Sequence, residues 1–199
     1  VSFTAHFLDL PGADVSYDGE WLHPAAAQAA LDNLRVEVPY SQHRVRMFGR
    51  ELPSPRLSAW IGDAGASYTY SRVRHEPLPW TPTLVHIRTR LQDELGVCFN
   101  SVLVNRYRDG QDSMGWHSDD ETELGAEPLI ASVSLGATRQ LRFRSKTAGG
   151  PRASIELGNG SLLLMAGGTQ SAYAHALMKS RRPMAERINL TFRRILLPC

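Results

Sequence analysis

Of the seven histidines in this 199-residue chain, only one is followed two positions later by an acid, in His117-Ser118-Asp119. On an extended strand, residues i and i+2 point to the same face, so these two side chains can converge on one ion. By itself His-x-Asp is weak, because a solvated loop after Gly115-Trp116 would carry the same letters. A third ligand is offered by His175, in a stretch over 171–177 where Tyr173, His175 and Leu177 share a face and Ala172, Ala174 and Ala176 take the other. A lone histidine there is more often a satisfied core residue. Two neutral imidazoles and one carboxylate form a facial set that suits Fe(II) with three positions open for substrate and O2. Zinc is the rival metal for the same ligands.

The last β-like run, RINLTFR at 187–193, puts Arg187, Asn189, Thr191 and Arg193 on one face and Ile188, Leu190 and Phe192 on the other. A polar face turned inward in a β barrel costs free energy unless it meets a ligand. Guanidinium forks match carboxylates, and two of them six residues apart suit a short dicarboxylate held at both ends. A solvated edge strand would show the same alternation. Asn105 and Tyr107, two apart in VLVNRY, can add hydrogen bonds to the same ligand.

These residues need a scaffold. Before residue 98 the chain reads as helix and loop: Pro24 opens an alanine-rich helix, and Thr81-Pro82 opens a second, with Leu84, Ile87, Leu91 and Leu95 at helical spacing and Gly96 closing it. From residue 99 on, short alternating runs with Gly-bearing turns predict a sandwich, barrel or jelly roll. The expected organisation is an N-terminal layer over 1–98 and a β core over 99–199, packed as one unit. With 42% hydrophobic and 21% charged residues the composition is that of a folded domain. The net charge of +2 is too small to imply a nucleic-acid partner. Cys98 and Cys199 make no disulfide framework, which fits a reducing compartment. The longest apolar run, Leu162–Ala166, is far short of a membrane span. The opening stretch lacks the pattern of a secretion signal.

Taken together, N-R-Y at 105–107, H-S-D-D-E at 117–121, His175 and R-I-N-L-T-F-R at 187–193 resemble the AlkB family of Fe(II)- and 2-oxoglutarate-dependent dioxygenases. The likeness extends upstream through PWTP, SYTYS and PRLSAWIGD to MFGR at 47–50, and it is greatest to the subgroup that repairs alkylated bases in double-stranded DNA. The resemblance implies a mainly β fold with flanking helices: a double-stranded β-helix (jelly-roll) core under an N-terminal nucleotide-recognition lid. It implies Fe(II) on His117, Asp119 and His175. It implies 2-oxoglutarate, with O2 the second cosubstrate, contacted by Asn105, Tyr107, Arg187, Thr191 and Arg193, with Asn189 a weaker candidate. The implied reaction oxidises an N-alkyl carbon, converts 2-oxoglutarate to succinate and CO2, and releases an aldehyde and the plain base.

A base inside a duplex must be flipped out to reach a buried metal. Tyr68, Thr69 and Tyr70 match family positions near the flipped base, with Tyr70 the expected stacking residue. Asp120 and Glu121 sit beside the ligands and are candidates to read the base edge. In the similar subgroup a hairpin pushes an aromatic residue into the gap; here that is Phe48, with Gly49 at the tip. Arg44, Arg46 and Arg50 are candidate phosphate contacts. Arg56 belongs to the same basic stretch, and Arg181 and Arg182 form a second basic point. The expected partner is alkylated DNA, double-stranded, acted on by a monomer with no membrane association. RNA or protein is the alternative substrate for the same chemistry, and a metal-bearing barrel that binds nucleic acid without turnover is the alternative class. The expected location is intracellular: cytoplasmic in a bacterium, nuclear in a eukaryote.

Overall fold

Period-two alternation in the second half of the chain becomes two antiparallel sheets. The computed structural model describes residues 6–47, 50–70 and 73–196. In chain order the elements begin with β1 (His6–Phe7), β2 (Asp14–Asp18), α1 (Pro24–Glu37), β3 (Arg44–Met47), β4 (Arg50–Pro53), β5 (Leu57–Gly62), β6 (Tyr68–Tyr70), β7 (Val73–His75) and α2 (Pro82–Leu95). They continue with β8 (Ser101–Tyr107), β9 (Met114–His117), β10 (Ile130–Gly136), β11 (Arg139–Ser145), β12 (Arg152–Leu157), β13 (Ser161–Ala166), a short α3 (Thr169–Ala172), β14 (Tyr173–Leu177) and β15 (Arg187–Arg193). The larger sheet runs β1-β2-β13-β10-β15-β8-β5, and the smaller runs β12-β11-β14-β9. The fold is the expected mainly β jelly roll with flanking helices.

Two apolar layers follow from the alternation. Leu163, Met165, Leu141, Phe143 and Leu157 pack in one cluster with strands of both sheets. Ile188, Leu190 and Phe192 join Val102, Val104, Val133 and Leu135 against the two helices. α1 buries Ala27, Ala30, Leu31 and Leu34, and α2 buries Leu84, Ile87 and Leu91, both at helical spacing. Pro sits in the first turn of each, and α2 stops at Gly96, which takes the left-handed conformation at φ 65°. Burying Ile188, Leu190 and Phe192 is worth about 1.5–3 kcal/mol per side chain. A one-residue slip of β15 would turn them away from the helices, so the apolar face fixes where the polar face points.

The structure departs from the sequence-based expectation in the first half. Helix and loop were expected there, but β2 pairs with β13 and β5 pairs with β8, so both belong to the larger sheet. β2 is five residues long, and β5 reads LSAWIG with five of its six residues buried. A strand covered on both faces shows no alternation. The expected strand over 171–177 is also shorter, since Ser171 and Ala172 complete the turn of α3. Among the described residues, no helix is long and apolar enough to cross a membrane.

Candidate active site

β15 lies between β10 and β8, not at an edge, and all seven of its residues are buried. Its polar face therefore lines the interior. The register sets Arg187 opposite Tyr107, Asn189 opposite Asn105 and Thr191 opposite Leu103 on β8. On β10, Ser134 faces Asn189 and Ser132 faces Thr191. At the turn after β10, Gly136 adopts φ +88°, and a Cβ there would fall 2.5 Å from Glu186 O. Only glycine lets the β10 turn lie this close to the start of β15.

The other wall carries the three ligand candidates. His175 of β14 pairs with His117 of β9, and their rings lie 4.3 Å apart. His117 Nε2 and His175 Nε2 are each 4.0 Å from a different oxygen of Asp119. One ligand atom from each residue lies within 4.8 Å of the others. Hydrogen bonds fix the segment: His117 Nδ1 contacts Gly115 O at 2.9 Å, Ser118 Oγ donates to Tyr173 O at 2.9 Å, and Asp119 N donates to Gln170 Oε1 at 2.9 Å. The carbonyl on His117 Nδ1 selects the tautomer that leaves Nε2 with its lone pair toward Asp119.

Electrostatics prepares the same groups. Burial, together with the His117 ring and the nearby Arg193 and Lys146, outweighs the pull of Asp119 and brings His175 down to about 3. It is neutral at pH 7. Burial alone would raise the Asp119 carboxyl, but Arg193 and the two imidazoles hold it below the usual carboxylate range. Arg193 Nη2 donates to Asp119 Oδ1 at 2.5 Å. Arg187 is 2% exposed. Its Nη2 donates to Ser134 Oγ at 2.9 Å and Asn189 Oδ1 at 2.6 Å, and its guanidinium lies 5.3 Å from the Tyr107 ring centre. Its Nε has no hydrogen bond and, among the described residues, no carboxylate pairs with it. Burial pushes this guanidinium down to about 10.

One cavity takes in all nine candidate ligand and cosubstrate residues. His117, Asp119 and His175 lie on one side, and Asn105, Tyr107, Arg187, Asn189, Thr191 and Arg193 line the rest. Its empty space is about 490 Å³, mouth included. The candidate substrate residues fall less neatly. Arg50 pairs with Met47 across the β3–β4 hairpin, and Phe48 and Gly49 lie outside the described residues. Tyr68, Thr69 and Tyr70 form β6, paired with β7. Asp120 is exposed and pairs with Lys146 at 2.9 Å, and Glu121 is half-buried.

Arg56 needs a correction. Grouped with the basic stretch by sequence, it is 7% exposed, and its Nε donates to Asn105 Oδ1 at 2.8 Å. Arginine only donates, so it turns the amide oxygen of Asn105 toward itself and leaves the NH2 for another partner. Sequence reasoning also missed Ser132, Ser134, Gln170 and Arg139. The two serines had a signal, since they alternate with Ala131, Val133 and Leu135 on one strand. Arg139 had one too, since alternation puts it on the face of Leu141 and Phe143; Gln170 had none.

A jelly roll holding two imidazoles and a carboxylate beside buried guanidiniums has the parts of a metal- and oxoacid-dependent oxygenase, and residues 14–193 match the 2OG-Fe(II) oxygenase superfamily. Mouse DNA oxidative demethylase ALKBH2 is 43% identical over 182 residues, covering 86% of this chain and 76% of the relative. Rat alpha-ketoglutarate-dependent dioxygenase alkB homolog 3 is 41% identical over 201 residues, covering 95% of this chain and 62% of the relative. The solved structure of OsALKBH1 shares the fold, with a TM-score of 0.66 at 17% identity over 96% of this chain and 99% of that one. The chain belongs to the AlkB family of Fe(II)- and 2-oxoglutarate-dependent dioxygenases.

Fe(II), 2-oxoglutarate and O2 are its cofactor and cosubstrates, and the residues present suit them. The donor set is two imidazoles and one ionised carboxylate. Ligand atoms about 2.0–2.2 Å from a metal must come closer together than 4.0–4.8 Å, a shift within side-chain reach. The buried Arg187, held by neutral partners, lacks an anion, and a carboxylate of the cosubstrate supplies one.

Proposed function

We propose that this chain repairs nucleic acid by oxidative N-dealkylation, with alkylated double-stranded DNA as its substrate. The observation that carries the reading is the shared cavity: an ionised Asp119 between two imidazoles at one end and Arg187 without a carboxylate partner at the other. Relatives named DNA oxidative demethylase support the choice of DNA. The relatives are longer than this chain, and it spans 62% of the rat protein.

In this reading His117, Asp119 and His175 hold iron. Arg187, with Tyr107 and Asn189, receives one carboxylate of 2-oxoglutarate, while Asn105, Thr191 and Arg193 hold the metal-proximal part. With iron and 2-oxoglutarate bound, O2 would be the oxidant: one of its atoms would enter succinate as 2-oxoglutarate loses CO2, the other would become the hydroxyl on the N-alkyl carbon, and the hemiaminal would break to an aldehyde and the N–H base. The protein's work is placement. Tyr68, Thr69 and Tyr70 border the flipped base, with Tyr70 stacking on it, and Asp120 and Glu121 address its edge. Phe48 enters the gap in the duplex, with Gly49 allowing the tip and Arg50, Arg44 and Arg46 meeting phosphates. The chain acts as a monomer, and a nucleic-acid substrate puts it inside the cell.

The test is anaerobic loading with Fe(II) and 2-oxoglutarate, then O2 with methylated duplex DNA, single-stranded DNA or RNA in parallel. Formaldehyde and succinate should appear together, most rapidly with the duplex. Asp119→Ala should remain folded and make neither product. Phe48→Ala should lose more activity on duplex than on single strands. Formaldehyde-free turnover on every nucleic acid would overturn the dealkylase reading, and faster repair of RNA or single strands would overturn the duplex assignment.

A further inference from the structure

We propose that Arg139 is a positioning residue that locks the register of the two histidine-bearing strands and thereby sets the spacing of His117 and His175. The inference rests on the metal-site reading above and concerns a residue outside the ligand and cosubstrate sets. Its starting point is an irregularity. His175 pairs with His117, but Leu177 pairs with Met114. Two steps along β14 match three along β9, so β9 carries a bulge at Gly115 and Trp116. Bulges re-aim side chains, and register is weakly specified where a strand is short and lies at an edge. β9 is both, with four residues at the edge of the smaller sheet. A slip of one residue would put Trp116 or Ser118 where His117 should be.

Arg139 closes this pair at the end where the mismatch accumulates. It is 3% exposed. Its Nη2 donates to Asp112 O at 3.0 Å and to Met178 O at 2.8 Å, and its Nη1 donates to Asp109 O at 3.2 Å. Asp112 lies two residues before Met114, and Met178 directly follows Leu177. One guanidinium therefore ties the entry of β9 to the exit of β14. Further contacts join the same two loops: Ser180 N donates to Gly110 O at 2.7 Å, and Gln111 Nε2 donates to Ser180 O at 3.0 Å. A Cβ on Gly110 would fall 2.9 Å from Arg182 O, so the loops are in close contact.

The same group reaches the cosubstrate wall, since its guanidinium lies 5.8 Å from the ring centre of Tyr107. Only a planar fork spans three carbonyls in this way. A lysine ammonium is a point donor on a flexible stem, and methionine donates nothing.

The test uses Arg139→Lys and Arg139→Met in the full chain, with Mn(II) as the redox-inert probe. The Mn(II) dissociation constant is read by electron paramagnetic resonance without cosubstrate, alongside the KM for 2-oxoglutarate, kcat and the melting temperature. Variants that do not fold are refolded and measured with 10 mM guanidinium, which refills the vacated position. The expected result is Mn(II) binding weakened at least tenfold in both variants and partly restored by guanidinium. Mn(II) affinity and KM within twofold of wild type, with only the melting temperature lowered, would overturn the proposal. Failure of both variants to fold even with guanidinium would also overturn it, because the residue would then serve the whole fold rather than the site. If wild type itself failed to bind Mn(II), the metal-site reading would fall instead.

Discussion

Replacing Arg187 with methionine separates the cosubstrate's need for this residue from the fold's. In the ligand-free protein the guanidinium is buried with Ser134 and Asn189 as hydrogen-bond partners, and burial brings it down to about 10. A base depressed in the folded state binds its proton less readily there than when unfolded, so at pH 7 its burial weakens the fold. The size is about 3 kcal/mol, at 1.36 kcal/mol per pH unit. Methionine removes that cost but leaves Ser134 Oγ short of a donor, at about 1–3 kcal/mol, while Asn189 Oδ1 keeps the Ser132 hydroxyl as its donor. The two effects nearly cancel, so ligand-free Arg187→Met should melt close to wild type. Its deficit should appear on ligand binding. A hydrogen bond to a charged group is worth about 1.5–3 kcal/mol, and at 1.4 kcal/mol per decade its loss raises the cosubstrate Kd roughly 10- to 150-fold. Thermal unfolding is followed with saturating Mn(II), with and without 2-oxoglutarate at a hundred times the wild-type Kd. Wild type should gain about 2.7 kcal/mol, or roughly 5–11 °C for a chain of this size. The variant should gain only ~1.4 kcal/mol or less by the same relation. An undiminished cosubstrate-dependent shift, or a ligand-free variant that melts more than 10 °C early, would refute the reasoning.

Three further outcomes follow from named contacts. Asp112 is buried, which alone would raise its carboxyl, but the Arg108 fork and the nearby Arg139 hold it below the usual range. A depressed acid contributes stability above its unfolded value and loses it as pH falls through the folded one. Acid titration of Asp112→Asn should therefore show a flatter loss of stability below about pH 4 than wild type, and identical curves would remove Asp112 from the acid response. Arg56→Met frees the Asn105 amide to turn over, so KM for 2-oxoglutarate should rise about fivefold, as for one hydrogen bond of ~1 kcal/mol, with kcat changed less; an unchanged KM would show that Asn105 needs no orienting partner. Gly136→Ala should destabilise the fold and raise that KM, because its Cβ would collide with Glu186 O beside Arg187; refined coordinates of the variant with β15 unmoved would contradict this.

How far the sequence could be read depended on whether a signal was periodic. His117 and Asp119 lie two apart, as do Asn105 and Tyr107, and the polar face of β15 keeps strict alternation. Strand geometry alone brings Asn105 and Tyr107, and the polar residues of β15, to one side; Asp119 lies past the end of β9 and is held by the contact of its N–H with Gln170. The helices were equally legible, because their buried residues recur at helical spacing and Pro24, Pro82 and Gly96 punctuate them. β2 and β5 were not, since a short strand, or one buried on both faces, carries no alternation. The Phe48 tip and the side chains around Tyr70 rest on family likeness, and periodicity says nothing about them.

The arginines show the deeper limit. In the sequence Arg56 is one of several in a basic stretch, and Arg139 opens a strand whose next two arginines are exposed. Strand alternation puts Arg139 on the face of Leu141 and Phe143, but nothing local says what its donors will meet, and nothing local marks Arg56 at all. What sets both apart is the partner: a side-chain amide 49 residues away for Arg56, and carbonyls 27, 30 and 39 residues away for Arg139. Burying a guanidinium is costly unless its donors are met, and only the closed fold supplies carbonyls at loop ends to meet them. The site thus has two kinds of residue. Those that face the ligand are set by the repeat of the strand and can be read from spacing. Those that hold the facing residues in place are set by long-range closure, and there a charged letter in the sequence gives no sign of which partners it will meet.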